Sequence, residues 1–181
     1  EQMWYATGDA KYFRHIQKGM DYWIDENGGH KDYDLAEYNI DHVTPGTAMM
    51  TLYRVTGNEK YRKMVDLFRS QLRTHPRTNE GGFWHKKIYP YQMWLDGLYM
   101  AQPFQIALSR LRGDAAQAAD TAQQFRHVRA VLRDAKTGLY RHGWDESGEQ
   151  RWADPATKQS SHAWGRAMGW YAIALADTLD Y

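Results

Sequence analysis

Three glycines, each followed by Asp or Asn and then by an amphipathic stretch, restrict this chain more than any other feature of its sequence. They are Gly8, Gly57 and Gly113, in ATGDAKYFRHIQKGMDYW, VTGNEKYRKMVDLFRSQL and LRGDAAQAADTAQQFRHV. Their spacing of roughly 50 residues is that of stacked helical repeats. A glycine can take the left-handed conformation that ends one helix. The Asp9, Asn58 or Asp114 that follows can accept a first-turn N–H of the next. Gln117 is spaced to close a capping box with Asp114. Each segment therefore reads as the turn of a helical hairpin.

The helices after the turns carry one apolar stripe: Phe13, Ile16, Met20 and Trp23 in the first, then Tyr61, Met64 or Val65, Phe68 and Leu72 in the second. One face is wet. The helices before the turns, Ala48 to Val55, Leu98 to Leu111 and Ala167 to Leu179, are apolar around most of their circumference, so burial on several sides is expected. The alternation predicts an all-α fold in two concentric layers, with strands confined to short pieces of the loops. Thr44 before Pro45, and Ser160 or Ser161, read as helix starts. Pro103 should kink its helix or force a short opening turn.

Turns from inner to outer helix are short, whereas the returns, Asn27 to Thr44, His75 to Trp94 and Ala135 to Ser161, are long. Long loops in compact domains are usually functional or disordered, and these are rich in Trp, Tyr, His and Asp. All enter inner helices, so they gather at one end of the assembly. The expectation is a single domain over residues 1–181 that is an incomplete ring of about three hairpins. Only a few residues precede Gly8, and Ala172 to Leu179 reads as an inner helix in need of neighbours. Six hairpins of this size need on the order of 300 residues.

Charge excludes some partners. With 23 basic and 22 acidic residues the chain carries a formal +1, which gives no general attraction for nucleic acid or an anionic membrane. No apolar run approaches the roughly 20 residues of a membrane span, and EQMWYATGDA lacks the features of a signal peptide; a cytoplasmic location is expected, with a periplasmic or secreted one as the alternative. The absence of cysteine removes thiolate chemistry and cysteine-ligated zinc. The histidines show no HExxH or other paired spacing, so neither a metal nor a cofactor is expected. The 8 Trp and 13 Tyr suit stacking on sugar faces as well as filling a helical core.

Four clusters stand at the mouths of the inner helices: Asp41 and His42 in YNIDHVTPG, Trp94 and Asp96 in QMWLDG, His142 in LYRHGWDE, and Trp164 and Arg166 in SSHAWGRAMGW. Acids, histidines, an arginine and tryptophans converging there would form an aromatic-walled pocket. Each also has a structural reading. Asp96 can cap a helix, Asp41 can bind backbone N–H groups, Arg166 can pair with Asp177, and His142 can be a surface residue. Flanked by Trp94, Leu95 and Leu98, Asp96 is expected to be desolvated, with its pKa raised into the range of a general acid. His85, Lys86 and Lys87 read as a solvated turn, or as a contact for an acidic polysaccharide.

At GGFWHKKIYPYQMWLDGLYMAQPF the sequence resembles glycoside hydrolase family 105, the unsaturated rhamnogalacturonyl hydrolases, and the resemblance extends to YNIDHVTPG, LYRHGWDE and SSHAWGRAMGWYAIALADTLDY. It implies an (α/α)6 barrel, of which this chain would hold about half. It places the catalytic acid and base on Asp96, with Trp94 lining the sugar subsite and Asp41 supporting catalysis. His142 and Arg166 would lie near the substrate's unsaturated uronate, Trp164 and His42 beside them. Met168 stands where Asn is expected and would shape a subsite.

The implied substrate is a pectin-derived oligosaccharide with a 4,5-unsaturated uronate at its non-reducing end. The implied reaction hydrates that double bond, unlike hydrolysis by two carboxylates at the anomeric centre. Two alternatives stand beside it: a related unsaturated glucuronyl hydrolase acting on glycosaminoglycan fragments, and a fragment that binds sugar without catalysis.

Overall fold

The computed structural model describes all 181 residues, Glu1–Tyr181. Seven α-helices and two short strands follow in the order α1 (Gln2–Thr7), α2 (Ala10–Trp23), α3 (Gly46–Thr56), α4 (Glu59–Thr74), β1 (Gln92–Trp94), α5 (Leu95–Arg112), α6 (Ala115–Leu132), β2 (Gly143–Asp145) and α7 (Gly165–Leu179). Helix–turn–helix units recur as the glycine repeat requires. Gly8, Gly57 and Gly113 end α1, α3 and α5 at φ 66°, 67° and 67°. Asp9, Asn58 and Asp114 accept from the N–H groups of Lys11, Lys60 and Gln117. No helix is long and apolar enough to cross a membrane.

The chain forms two compact units. The first comprises Glu1–Asp34 and Pro45–Arg73, and its core is built by α3 and α4. Met49, Leu52, Tyr61, Met64 and Phe68 are all at most 1% exposed, and burial on this scale is the main stabilising term. The Tyr61 hydroxyl, which could not be buried alone, donates to Asp21 Oδ1 at 2.7 Å. The stripe of α2 is shallower. None of its residues is fully buried, and it meets α1 through Trp4 and Phe13, whose ring centroids are 5.0 Å apart.

The second unit comprises Leu35–Thr44 and Thr74–Tyr181. Met93, Leu95, Leu98, Val128, Leu132, Ala167 and Ala174 form its core, with Tyr99, Phe125, Tyr140, Trp144, Met168 and Tyr171 packed around them. Helix α5 is buried along most of its length, from Leu95 to Ser109. Helix α7 departs from the expected burial on several sides. It packs on α5 through Ala167 and Ala174 and leaves Ile173 and Leu179 at 46% and 81% exposed. The strands β1 and β2 pair antiparallel, with Gln92 opposite Asp145, Met93 opposite Trp144 and Trp94 opposite Gly143. They join two long loops rather than forming a hairpin.

Several local readings of the sequence change. Of the two readings of Pro103 the short opening turn drops out, because the proline lies within α5, one helix from Leu95 to Arg112. The capping box at Asp114 is not closed: the Asp114 N–H donates to Ser109 O, and Gln117 Oε1 is buried without a partner. Thr44 ends a 3₁₀ turn (Ile40–Val43), and its hydroxyl donates to Asp41 O and lies 2.8 Å from Met100 Sδ. Pro45 itself occupies the N-cap of α3. Trp164, not Ser160 or Ser161, holds the N-cap of α7, with no side-chain bond.

Candidate active site

The β1–β2 ladder brings the acid and its histidine together. Trp94 is the last residue of β1 and, in extended conformation, the N-cap of α5, so Asp96 falls in the first turn of that helix. There the helix dipole favours a carboxylate. Across the ladder Trp94 faces Gly143, and one step further the Leu95 N–H donates to His142 O at 3.0 Å. This register places His142 Nε2 2.9 Å from Asp96 Oδ2. Both side chains are largely covered, at 13% exposure for Asp96 and 28% for His142. Just beyond them, the fully buried Asp145 accepts from the Ser147 hydroxyl and the Gln150 N–H, which ties down the loop behind β2.

Asp96 is not the cap of α5, a place that Trp94 holds without a side-chain bond, and its acidity corrects the expectation from its apolar neighbours. Burial pushes the carboxyl up, but the hydrogen bond and charge of His142, aided by its own backbone N–H and the charge of His85, outweigh it. The net shift is below the ordinary 3.8. Apolar flanks gave the right sign for the largest single contribution and missed the opposing ones that together exceed it. With one proton between them, Asp96 and His142 can exist as an ion pair or, after transfer along the 2.9 Å bond, as a neutral acid beside a neutral imidazole.

A second carboxylate stands on the 3₁₀ turn. Asn39 caps this turn by accepting the Asp41 N–H, which leaves the Asp41 carboxylate for other partners. Its Oδ1 lies 3.3 Å from His85 Nε2 and its Oδ2 2.8 Å from Lys86 Nζ. Burial pushes this carboxyl up as well, yet His85 and Lys86 together hold it down at about 2. Asp41 is a fixed anion, and its partners are side chains rather than backbone N–H groups.

Trp94 joins the two carboxylate pairs. Its ring stacks on His85 at 4.2 Å and on Tyr89 at 5.2 Å between centroids, and meets His142 at 5.5 Å. On its far side His142 meets Trp164 edge-on at 5.0 Å, and the Arg166 guanidinium lies 3.8 Å over the Trp164 ring. Arg166 makes no ion pair with Asp177 or any other acid. A guanidinium on an indole face, charged and solvent-accessible, is well suited to an anionic ligand. Contacts thus run from Lys86 through Asp41, His85, Trp94, His142 and Asp96 to Trp164 and Arg166. His42 sits beside Asp41 on the 3₁₀ turn, with Nε2 3.3 Å from Asn39 Nδ2. Met168 packs against the core cluster behind the α7 N-terminus.

The sequence reading missed His85 and Lys86 as site residues. His85 is 3% exposed. Its N–H donates to Gln92 O and its carbonyl accepts the Ile40 N–H, so the backbone carries it inward, and only Lys87 belongs to the solvated turn. Their position in a long loop entering an inner helix was the available signal. No group of three or more His, Cys, Asp or Glu side chains is arranged to hold a metal ion.

A model of Glycosyl Hydrolase Family 88 matches residues 2–181. The unsaturated rhamnogalacturonyl hydrolase YesR of Bacillus subtilis (strain 168) is 30% identical over 180 residues, covering 96% of this chain and 48% of that protein. A family 105 glycoside hydrolase structure from C. acetobutylicum ATCC 824 superposes with a TM-score of 0.94 at 47% identity, over 98% of this chain and 49% of that one. A possible family 105 member from Klebsiella pneumoniae, 22% identical, shares the fold with a TM-score of 0.81 over 99% of this chain and 44% of its own. The chain spans about half the length of these relatives. The resemblance to family 105 and the expected (α/α)6 class, present as about three hairpins, accord with these matches.

Proposed function

The chain belongs to Glycosyl Hydrolase Family 88, and from that premise we propose that it carries the catalytic half of an unsaturated rhamnogalacturonyl hydrolase, its hairpins forming part of one barrel domain. The observation that carries this reading is the Asp96–His142 pair, 2.9 Å apart and half-buried, beside an anion-ready Arg166 and a second carboxylate that stays charged. A single proton-carrying pair suffices to hydrate a double bond. Double displacement at an anomeric carbon needs a free carboxylate nucleophile beside the acid, and both Asp41 oxygens are held by His85 and Lys86. The substrate named for the Bacillus relative fits this chemistry.

In the proposed reaction the unsaturated uronate lies over the pair with its carboxylate on Arg166. Covering the pair with a sugar ring excludes water, which disfavours separated charge and moves the shared proton from His142 Nε2 to Asp96 Oδ2. Asp96 then protonates C4, and the double-bond electrons form the new C–H bond. The resulting cation at C5 is shared with the ring oxygen. Asp96, again a carboxylate, takes a proton from the water that adds at C5. The hemiketal opens to a ketone, and the hemiacetal left at C1 breaks down to release the neighbouring sugar. Asp41, held by His85 and Lys86, provides a fixed negative charge and hydrogen-bond acceptor beside the ring.

The test is the ultraviolet absorbance of the unsaturated uronate. Asp96→Asn should abolish its decay on unsaturated galacturonyl rhamnose while leaving the circular dichroism spectrum unchanged, and retained turnover would refute the assignment. An unsaturated chondroitin disaccharide assayed in parallel distinguishes the glucuronyl alternative. Calorimetric binding without turnover by the unmodified protein would support a sugar-binding role instead.

A further inference from the structure

Next to Trp94 lies a small cavity lined by Trp84, His85, Gly97 and Gln102 among others. Three of these residues carry a side-chain polar atom that is buried and hydrogen-bonded to no protein group: Trp84 Nε1, His85 Nδ1 and Gln102 Oε1. His85 and Gln102 are 3% and 1% exposed. Three such atoms around one cavity are unusual, because buried polar groups almost always find partners. Gly97 completes the arrangement. A Cβ at that position would stand 3.2 Å from His85 Nδ1, so any other residue would crowd the only ring nitrogen that Asp41 does not engage.

We propose that this cavity is a site for one ordered water molecule, and that through it His85 acts as a positioning residue for Asp41. The role rests on the hydrolase reading, whereas the water site does not. Size and chemistry both fit: the cavity has room for a single water, and a buried water typically makes about three hydrogen bonds. The indole N–H of Trp84 can only donate and Gln102 Oε1 can only accept. The water therefore accepts from Trp84 and donates to Gln102. Its remaining capacity meets His85 Nδ1, donating to a bare nitrogen or accepting from a protonated one.

Asp41 decides the other nitrogen: a carboxylate oxygen 3.3 Å from Nε2 calls for a hydrogen there, whether or not Nδ1 is also protonated. The third possible state, a neutral ring protonated only on Nδ1, would turn the Nε2 lone pair against the carboxylate. The water thus serves both remaining protonation states of His85, and Asp41 keeps the same donor in each. Lys86 holds the other oxygen at 2.8 Å, so the plane of the carboxylate is fixed from both ends.

The experiment combines NMR with kinetics on the wild-type protein, Gly97→Ala and Gln102→Met. In the wild type, long-range proton–nitrogen correlation of the imidazoles should show His85 Nε2 protonated throughout pH 5 to 8. The Trp84 indole proton should show a cross-peak to a long-lived water. In Gly97→Ala the added methyl displaces the water, so the cross-peak disappears and the Nδ1 resonance moves. Gln102→Met removes an acceptor without adding bulk near the ring, and should weaken the same cross-peak even if Gly97→Ala fails to fold. On the unsaturated disaccharide, kcat should fall on the order of tenfold with little change in KM, as expected for the loss of one supporting hydrogen bond. A wild-type cavity with no water cross-peak, or a His85 protonated only on Nδ1, overturns the proposal. Unchanged kcat in both variants despite loss of the cross-peak removes the positioning role. A wild-type protein that shows the cross-peak and no turnover refutes the hydrolase reading and leaves the water site standing.

Discussion

The bond between Asp96 and His142 makes a prediction whose sign and size both follow from geometry. His142→Gln keeps an N–H donor but removes the imidazolium charge, and Asp96→Asn removes the carboxylate. With the double variant they form a thermodynamic cycle. Charges about 4 Å apart attract by about 4 kcal/mol at an effective dielectric constant of about 20. Desolvation opposes this, and it is the largest single influence on Asp96. A coupling of about 1–2 kcal/mol should remain. The assay is urea unfolding of the four proteins at pH 6. The folded Asp96 carboxyl lies below the ordinary 3.8, so the stability it contributes is present above that value and is lost as pH falls through the folded one. The coupling should therefore shrink between pH 6 and pH 3. A coupling below about 0.3 kcal/mol at pH 6, within the error of additivity, would refute the reasoning, as would one that does not change with acidification.

Two further outcomes follow from the same coordinates. Asp41→Asn should cost about 1 kcal/mol at pH 7, a figure reduced from the full shift because the side chain is 36% exposed. With the folded carboxyl at about 2 against an ordinary 3.8, that cost should fade between those two pH values in acid unfolding curves, and a constant difference would count against the ion pairs. Gly82→Ala should destabilise by about 1–3 kcal/mol in thermal unfolding, because the new Cβ would collide with Met93 Sδ in a packed core. Unaltered stability would show that Met93 can move.

Much of the fold was legible because it rests on local chemistry. The turn glycines and their Asp or Asn caps act within a few residues, and the stripe of α4 needs only helical periodicity. Packing over long range was less visible. The exposure of Ile173 and Leu179 depends on which helices surround α7, and the direction of the Asp96 shift depends on a histidine 46 residues away in sequence. His85 shows the limit most sharply. Within His-Lys-Lys it looks like part of a charged turn, and only its hydrogen bonds to Ile40 and Gln92 and the ring of Trp94 reveal it as an interior group. Asp96, His142, Trp94, Trp164 and Arg166 form a continuous chain of contacts, but Asp41 reaches them only through His85, which the motifs did not single out.

The ladder between β1 and β2 uncouples the spacing of Asp96 and His142 from the length of the loops around it. Because Trp94 is fixed against Gly143 and Leu95 against His142, the segments on either side can lengthen or shorten without changing the spacing of Asp96 and His142. The turns around Ala156 and Lys87 can then change length while the pair stays as it is, because the segment that pairs with β2, Lys158 to Ser160, lies outside the first of them. Insertions at these tips should be tolerated, whereas a one-residue deletion inside either strand would reverse which side chains face the core and carry the acid away from its partner.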